Sequence, residues 1–156
     1  MIINDLKLML YEIKQRKKLT NDRLVIGTLR NETIKFLEEK KIPIHTKEIY
    51  ITHKGLSHLS REHKKQRGAG LNEEDILNIP YIIKEPLALY FDDKKAKLNL
   101  IYCEKSSSYN KIIKIVIDTK GYLKKIGKIT LVKTSGYIEK ANLRGYIKIY
   151  GDIESR

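Results

Sequence analysis

The sequence predicts an α+β fold in which N-terminal helices pack on a four- to five-stranded antiparallel sheet. Two patterns support this prediction: helical spacing of apolar residues in the first half of the chain, and apolar–polar alternation from Leu87 onward. The chain has 156 residues, of which 41% are hydrophobic, which suits one ordinary globular domain. We therefore expect a single α+β domain over residues 21–156, preceded by a helical arm over residues 1–20.

The first forty-odd residues read as a helix, a strand and a second helix. The initial apolar-periodic segment has Asn4 or Asp5 as a candidate N-cap. A short strand, "RLVIGTL", follows it. Helical spacing returns in "RNETIKFLEEKKIPI", and Pro43 marks the end of that helix, because proline lacks the amide that a helix interior needs.

A second strand and two further helices complete the first half. The strand is "KEIYIT", and Thr52 at its end can cap a helix that begins at His53 and continues to about Gln66. A short helix with an acidic first turn begins after Asn72, and Pro80 is expected to close it.

Five candidate strands follow from Leu87, and fairly short segments separate them. The five are "LALYF", "KLNLIYCE", "KIIKIVID", "KITLVKT" and "GYIKIYG". Such connections between alternating strands indicate an antiparallel meander with one face on a core and the other in water.

The charge of the chain favours a polyanion as partner. Thirty-two Lys and Arg residues against nineteen Asp and Glu residues give a formal charge of +13 at pH 7. Neutralising phosphates releases condensed counterions, so a nucleic acid is the expected partner. A membrane surface would satisfy the same charge, but the basic residues are spread along the chain instead of gathered on one amphipathic segment. No apolar run approaches the roughly 20 residues that span a bilayer, and the N-terminus does not resemble a secretory signal. We expect an intracellular protein with no membrane partner.

The sequence gives no sign of a metal site or a cofactor. Cys103 is the single cysteine, in a strand-like context that predicts a buried thiol. His53, His58 and His63 repeat every five residues, whereas ligands on one helical face recur every three or four. The glycine-containing segment after these histidines also lacks the Lys-Ser/Thr of a Walker phosphate loop.

The histidine-rich helix, "HKGLSHLSREHKKQRGAG", is the first candidate for chemistry. Leu56, Leu59 and His63 share one stripe, so His63 is expected to point toward the sheet, while His58 and Arg61 lie on another face. An imidazole titrates near neutrality, and neighbouring cations favour its proton-accepting form. A histidine bonded to a backbone carbonyl in the core, with a solvated basic face around it, is the alternative interpretation.

The C-terminal strands supply candidates for the rest of a site. RNA cleavage without a metal needs a base, an acid and donors to the charged phosphorane. Lys114, Thr134 and Tyr137 are the candidates on the strands, beside His63 and His58 on the helix; the alternative is ordinary half-exposed strand positions. The candidate RNA-binding residues are Arg61, Lys64, Lys65, Arg67, Lys111 and Lys133.

One run of residues resembles a known nuclease group. Ile49, Tyr50, Thr52, Lys54, Leu56, His58, His63, Asn78 and Pro80 follow the pattern in question. The stretch from Leu24 to Tyr150 resembles the phage and mobile-element nucleases related to barnase, EndoU, colicin-type and RelE-type RNases, which share the BECR fold. One departure is Glu62 before His63, because many relatives end this helix with Arg-His-Gly.

The resemblance implies a metal-independent endoribonuclease with His63 or His58 as catalytic histidine and "KTSGY" as the contribution of the sheet. It also implies a toxin-like protein with no cofactor, acting in the host cytoplasm or carried by a phage, and an acidic immunity or antitoxin protein as its partner. Two alternatives stay open: a non-catalytic basic module that binds RNA or DNA, and a structural or interaction protein of a phage particle.

Overall fold

The computed structural model describes residues 2–59, 70–107 and 109–153. Within them it has an α+β fold, as the sequence predicts. The helices are α1 (Ile2–Lys14), α2 (Asn31–Glu39), α3 (His53–Leu59), α4 (Glu73–Leu77) and α5 (Ile79–Lys84). The strands are β1 (Arg23–Thr28), β2 (Glu48–Thr52), β3 (Ala88–Asp92), β4 (Asn99–Lys105), β5 (Ile112–Leu123), β6 (Gly127–Ile138) and β7 (Ile147–Gly151).

The seven strands form one mixed sheet in the order β1-β2-β6-β5-β4-β3-β7. The expected four or five antiparallel strands were too few, because β1 and β2 extend the sheet instead of lying apart from it. They join it by a parallel pairing of β2 with β6, through Ile49 opposite Thr130 and Tyr50 opposite Leu131. The other neighbouring strands are antiparallel.

The expected meander is confirmed for β3 to β6, which pair in chain order. The last strand departs from it, because β7 pairs with β3 at the far edge of the sheet. A 3₁₀ turn at Lys140–Leu143 lies on the connection between β6 and β7. Leu143 from this turn is buried against one side of the meander, and this burial stabilises the connection between β6 and β7.

The main core lies on the side of the sheet that we call the front face. Alternate residues of the central strands point into it, because successive strand side chains point to opposite faces. Ile113, Ile115 and Ile117 of β5 are members of this core, and so are Leu6 and Met9 of α1. The N-terminal helix therefore contributes buried side chains to the same core as the sheet.

The sheet is curved, and a side chain after β1 contacts the strand at the opposite edge. Arg30 places its guanidinium carbon 4.3 Å from the ring centroid of Tyr150 in β7. A flat sheet would separate β1 from β7 by about 29 Å, over six spacings of roughly 4.8 Å. Arg30 also donates to the carbonyl of Lys84 at 2.6 Å, so α5 lies beside the same contact. The curvature wraps the sheet around the front-face core.

The opposite, back face of the sheet has two unlike halves. Across β3, β4 and β5, a second cluster of buried apolar residues includes Ile101, Cys103 and Leu143. On the β1–β2 side, Val25 is 43% exposed and Tyr50 is half-buried. The half formed by β1, β2 and β6 is therefore the more accessible surface, and we call it the open back face.

Local signals in the sequence gave mixed results. The predicted cap at Thr52 is confirmed, because Thr52 Oγ1 accepts from the Gly55 amide at 3.0 Å. Asn72 Oδ1 accepts from the Asp75 amide at 2.8 Å, a cap that was not among the predicted ones. Pro80 does not close a helix; it lies in the first turn of α5, where a missing amide costs no hydrogen bond.

The predicted start of the first helix also needs correction. α1 is already helical at Ile2, so Asn4 and Asp5 lie within its first turn instead of capping it. The predicted continuation of the histidine helix to Gln66 lies outside the described residues, since the description of α3 ends at Leu59.

Candidate nucleic-acid interface

A basic cleft of about 410 Å³ lies where the end of β2 meets the turn between β5 and β6. We call it the proximal cleft. Three parts of the chain build it: the start of β1, the junction of β2 with α3, and the β5–β6 turn. Its lining residues are Asp22, Arg23, Thr52, His53, Lys54, Tyr122, Leu123, Lys124, Lys125 and Leu131.

Among the described residues that line the proximal cleft, cations outnumber anions by four to one. Arg23, Lys54, Lys124 and Lys125 line it, against the carboxylate of Asp22. Arg23 Nη1 lies 3.0 Å from Asp22 Oδ1, in an ion pair whose members are both partly exposed. The three lysines leave an excess of positive charge, which is the electrostatic requirement for holding a phosphate backbone.

Among the described residues that line this cleft, His53 contributes an imidazole, and a backbone carbonyl orients it. Its amide donates to the carbonyl oxygen of Asp22 at 2.9 Å, and its Nδ1 lies 3.2 Å from the same oxygen. A carbonyl oxygen only accepts, so Nδ1 must carry the proton. In the neutral ring Nε2 is then the proton acceptor, as a general base requires.

The β5–β6 turn brings an aromatic ring and two lysines to the cleft. Leu123 pairs with Gly127, so Lys124 and Lys125 lie in a three-residue turn. Gly127 has φ of +103°, a conformation that favours glycine and is typical of such turns. Tyr122, just before the turn, is 65% exposed, and an exposed ring beside cations is a suitable stacking surface for an unpaired base.

The histidine helix is only partly described. His58 is exposed on α3, the helix whose Leu56 and Leu59 pack into the front-face core. The other five candidate residues from this segment all lie outside the described residues: Arg61, His63, Lys64, Lys65 and Arg67.

The strand candidates do not share one face. Lys114 pairs with Gly136, and Thr134 pairs with Val116 of the back-face cluster, so the side chains of Lys114 and Thr134 point to the back. Tyr137 pairs with Ile113 and packs against the front-face core. The sheet therefore separates Tyr137 from Lys114 and Thr134.

The two remaining lysine candidates are both exposed on the β5–β6 hairpin. Lys133 falls at a register shift, where its neighbours Val132 and Thr134 pair with β5 and it does not. Lys111 Nζ lies 5.6 Å from the ring centroid of Tyr137. Both positions leave the ammonium groups accessible to a phosphate.

Tyr137 is hydrogen-bonded to the buried carboxylate of Asp75. Its hydroxyl donates to Asp75 Oδ2 and accepts from the Asn72 amide at 3.2 Å. Ser106 Oγ donates to the same carboxylate oxygen at 2.7 Å. Burial, together with the bond to Asp75, raises the pKa of Tyr137 to about 12. The hydroxyl thus keeps its proton near neutrality and uses it to hold α4 against β6.

Sequence reasoning selected none of the described residues that line the proximal cleft as a site residue, and His53 is among those it did not select. In the sequence, His53 is the first residue after the Thr52 cap and one of three histidines whose spacing argues against a metal site. Its orienting partner is the carbonyl of Asp22, which is 31 residues earlier in the chain. The local signal that could have indicated His53 is weak: it is a histidine directly after a strand-ending cap, a position that lies at the rim of a sheet, where clefts form.

Comparison with known proteins found no match, whether against protein-family models, curated proteins or solved structures. None of the helices in the described part of the chain is long and apolar enough to cross a membrane. Among the same residues, no group of three or more His, Cys, Asp or Glu side chains is arranged to hold a metal ion.

Proposed function

We propose that the protein is a metal-independent endoribonuclease that binds single-stranded RNA in the proximal cleft, with His53 as general base. The observation that supports this most is the orientation of the His53 ring by the Asp22 carbonyl, inside a cleft lined by four cations. A histidine held in one tautomer beside a phosphate-binding surface is the arrangement that acid–base cleavage of RNA needs.

In the proposed reaction, Nε2 of His53 takes the proton of a ribose 2′-hydroxyl, and the 2′ oxygen attacks the adjacent phosphorus. The bond to the 5′ oxygen breaks, and water entering the open cleft supplies the proton for that oxygen. The products are a 2′,3′-cyclic phosphate and a 5′-hydroxyl. Lys54, Lys124 and Lys125 stabilise the negative charge that develops on the phosphorane.

The proposal includes the BECR-like scaffold and a toxin-like role in a phage or mobile element, with an acidic immunity protein as the natural inhibitor. The order of elements supports it, since helices come first and an antiparallel meander follows. The parallel β2–β6 pair and the seven strands differ from the sheet expected for that group. A non-catalytic RNA- or DNA-binding module is the second candidate, favoured by the charge of +13.

Cleavage of labelled RNA in the presence of EDTA tests the proposal. His53→Ala should lower the rate by about 10²-fold or more, the usual contribution of a general base. His45→Ala is the matched control, because His45 is half-buried on the segment before β2 and does not line the cleft. His58→Ala and His63→Ala test the two histidines expected from the sequence.

Each outcome has a definite meaning. Full activity in His53→Ala, with loss in His63→Ala or His58→Ala, would move the base onto the histidine helix. RNA binding by the folded protein without any product would reject the ribonuclease and leave the binding module.

A further inference from the structure

A second basic cleft, also of about 410 Å³, lies at the other end of the β5–β6 hairpin, and we call it the distal cleft. Three lysines line it, Lys105, Lys111 and Lys140, against one carboxylate, Glu139. Glu139 is engaged locally, because its side chain accepts from the Asn142 amide in a capping box. The distal cleft therefore repeats the excess of positive charge found in the proximal cleft.

The distal cleft also contains an exposed aromatic ring that is held in place. Tyr109 is 52% exposed and meets the ring of Tyr137 edge to face, with centroids 5.4 Å apart. Its amide donates to Ser106 Oγ at 3.0 Å, and Ser106 donates in turn to buried Asp75. A preorganised ring loses little conformational freedom when a base stacks on it.

Both clefts border the back face. Ile112 and Ile138, which line the distal cleft, pack against the back-face cluster. Leu131, which lines the proximal cleft, pairs with Asp118. Asp118 alternates along β5 with the front-face residue Ile117, so this pair points to the back face. β5 has 12 residues, so the clefts lie roughly 35 Å apart at about 3.3 Å per residue. Lys114 and Thr134, both half-buried on the back face, lie along the path between them.

We propose that one extended single strand of RNA follows the back face of the sheet along β5 and β6 and occupies both clefts at once. This deepens the proposed function and rests on it, since the proximal cleft is the cleavage site. Exposed Tyr122 and Tyr109, one in each cleft, favour unpaired bases over an acidic protein segment, because the rings offer stacking surfaces that carboxylates do not use. A duplex keeps its bases stacked internally, so these rings would have no base to contact.

Binding of fluorescent oligoribonucleotides of 4 and 12 nucleotides tests the proposal, because a site that spans both clefts falls within the roughly 4–16 nucleotides of known single-strand-binding folds. The distal variant is Tyr109→Ala with Lys111→Ala. We expect it to weaken binding of the 12-mer at least tenfold and to leave the 4-mer, which fits one cleft, within about twofold. The matched control is Tyr81→Ala with Lys35→Ala, which removes one exposed tyrosine and one lysine outside both clefts.

The outcomes separate this proposal from the ribonuclease itself. Equal binding of the 12-mer by the distal variant and the control would overturn the two-cleft path, while the His53→Ala cleavage test would still stand. Equal affinity for a 12-base-pair duplex would overturn the assignment to single strands. Competition by an acidic polypeptide as strong as that by the 12-mer would assign the surface to a protein partner. Circular dichroism of each variant verifies folding.

Discussion

Asp75 has no exposed surface, although it is a carboxylate on a helix of only five residues. A buried carboxylate is tolerated when hydrogen bonds replace its lost hydration. Here Tyr137 and Ser106 donate to one oxygen, and Ser107 lies 3.3 Å from the other. This network joins α4, the loop after β4, and β6, and it positions Tyr109 at the distal cleft.

Replacing Tyr137 with Phe removes a donor to Asp75 and the acceptor for the Asn72 amide. We expect the free energy of unfolding to fall by about 1–3 kcal/mol, because buried polar groups lose a partner. Urea denaturation measures this change. Tyr81→Phe removes the same atom from a residue that is 60% exposed, and should alter stability by less than about 0.5 kcal/mol. Equal effects of both variants would show that the Tyr137 hydroxyl does not support the network.

Stability should also fall at alkaline pH through two buried groups. Burial raises the pKa of the Cys103 thiol from 9.0 to about 12, and burial with the Asp75 bond raises the pKa of Tyr137 from 10.0 to about 12. The folded state retains these protons to higher pH than the unfolded state. Their contribution is therefore complete below pH 9 and is lost as pH rises toward 12.

The two groups can be separated by mutation. Tyr137→Phe should flatten the decline in unfolding free energy between pH 10 and 12, while Cys103→Ala should flatten it from pH 9 upward. Urea denaturation across this pH range measures both slopes. A Tyr137→Phe curve parallel to that of the native chain would contradict the assignment.

At the scale of elements, the β5–β6 hairpin positions both clefts, and Gly121 is its tightest point. A Cβ at Gly121 would lie 2.7 Å from the Cβ of Leu131 and 3.2 Å from the carbonyl oxygen of Ile129. Both neighbours belong to β6, the partner strand, so neither can move independently of the ladder. The absent side chain thus allows the strands to approach closely beside Tyr122.

Gly121→Ala should destabilise the protein by about 1–3 kcal/mol, the usual cost of overpacking. It should also weaken RNA binding, because Tyr122 is the next residue in the strand. Gly55→Ala is the comparison, since its nearest contact would be the Thr52 Oγ1 at 3.3 Å and alanine favours the helix. Thermal unfolding of the two variants measures the change in stability. A loss of stability in Gly55→Ala as large as that in Gly121→Ala would contradict the steric explanation.

Sequence patterns predicted the elements better than their arrangement. Alternation located the strands from Leu87 onward, and the cap at Thr52 was correctly predicted because capping is local chemistry. The position of β2 beside β6 depends on a pairing of two residues on each strand, about 80 positions apart in the chain, and no local pattern encodes it. The role of Pro80 was misjudged because a proline that ends one helix and a proline that begins the next look alike in sequence.

The candidate site was predicted only in its chemistry. A basic surface, tyrosines and a histidine were expected, and the proximal cleft contains all three. Helical periodicity selected His63 and His58, but the orientation of His53 comes from a carbonyl brought near by the β1–β2 pairing. Tyr137 was grouped with Thr134 because they are close in sequence, yet they lie on opposite faces because an odd number of positions, three, separates them along one strand.

At the scale of the whole molecule, the charge of +13 should make RNA affinity depend steeply on salt. Each phosphate contact with a single strand contributes a slope of about −0.7 in a plot of log K against log salt concentration. The three lysines of the proximal cleft alone would give a slope of about −2, and the six lysines of both clefts about −4.

Titration of the 12-mer at several salt concentrations measures this slope. Substituting Lys105, Lys111 and Lys140 with Ala should make it shallower by about 2, whereas the same number of lysines changed outside the clefts should have little effect. A slope that does not respond to the distal lysines would confine the phosphate contacts to the proximal cleft.

The parallel β2–β6 pairing has a consequence for the order in which the protein opens. It joins the β1–β2 unit to the meander through two residue pairs, with Thr130 also bonded to Thr46 at 2.6 and 2.9 Å. A strand ladder of only two residue pairs, closing a loop of about 80 residues, should form late in folding and separate first. Amide hydrogen exchange should therefore be faster at Tyr50 than in the centre of β4.

The proximal cleft takes His53 and Lys54 from one side of this junction, and Tyr122 and Lys124 from the other. Partial opening would separate them while the meander, with Cys103 inside it, stays folded. On mild heating, we expect RNA cleavage to disappear before Cys103 becomes reactive toward a thiol reagent. The proposed ribonuclease activity would then be lost through a sub-global opening well below the temperature at which the chain unfolds.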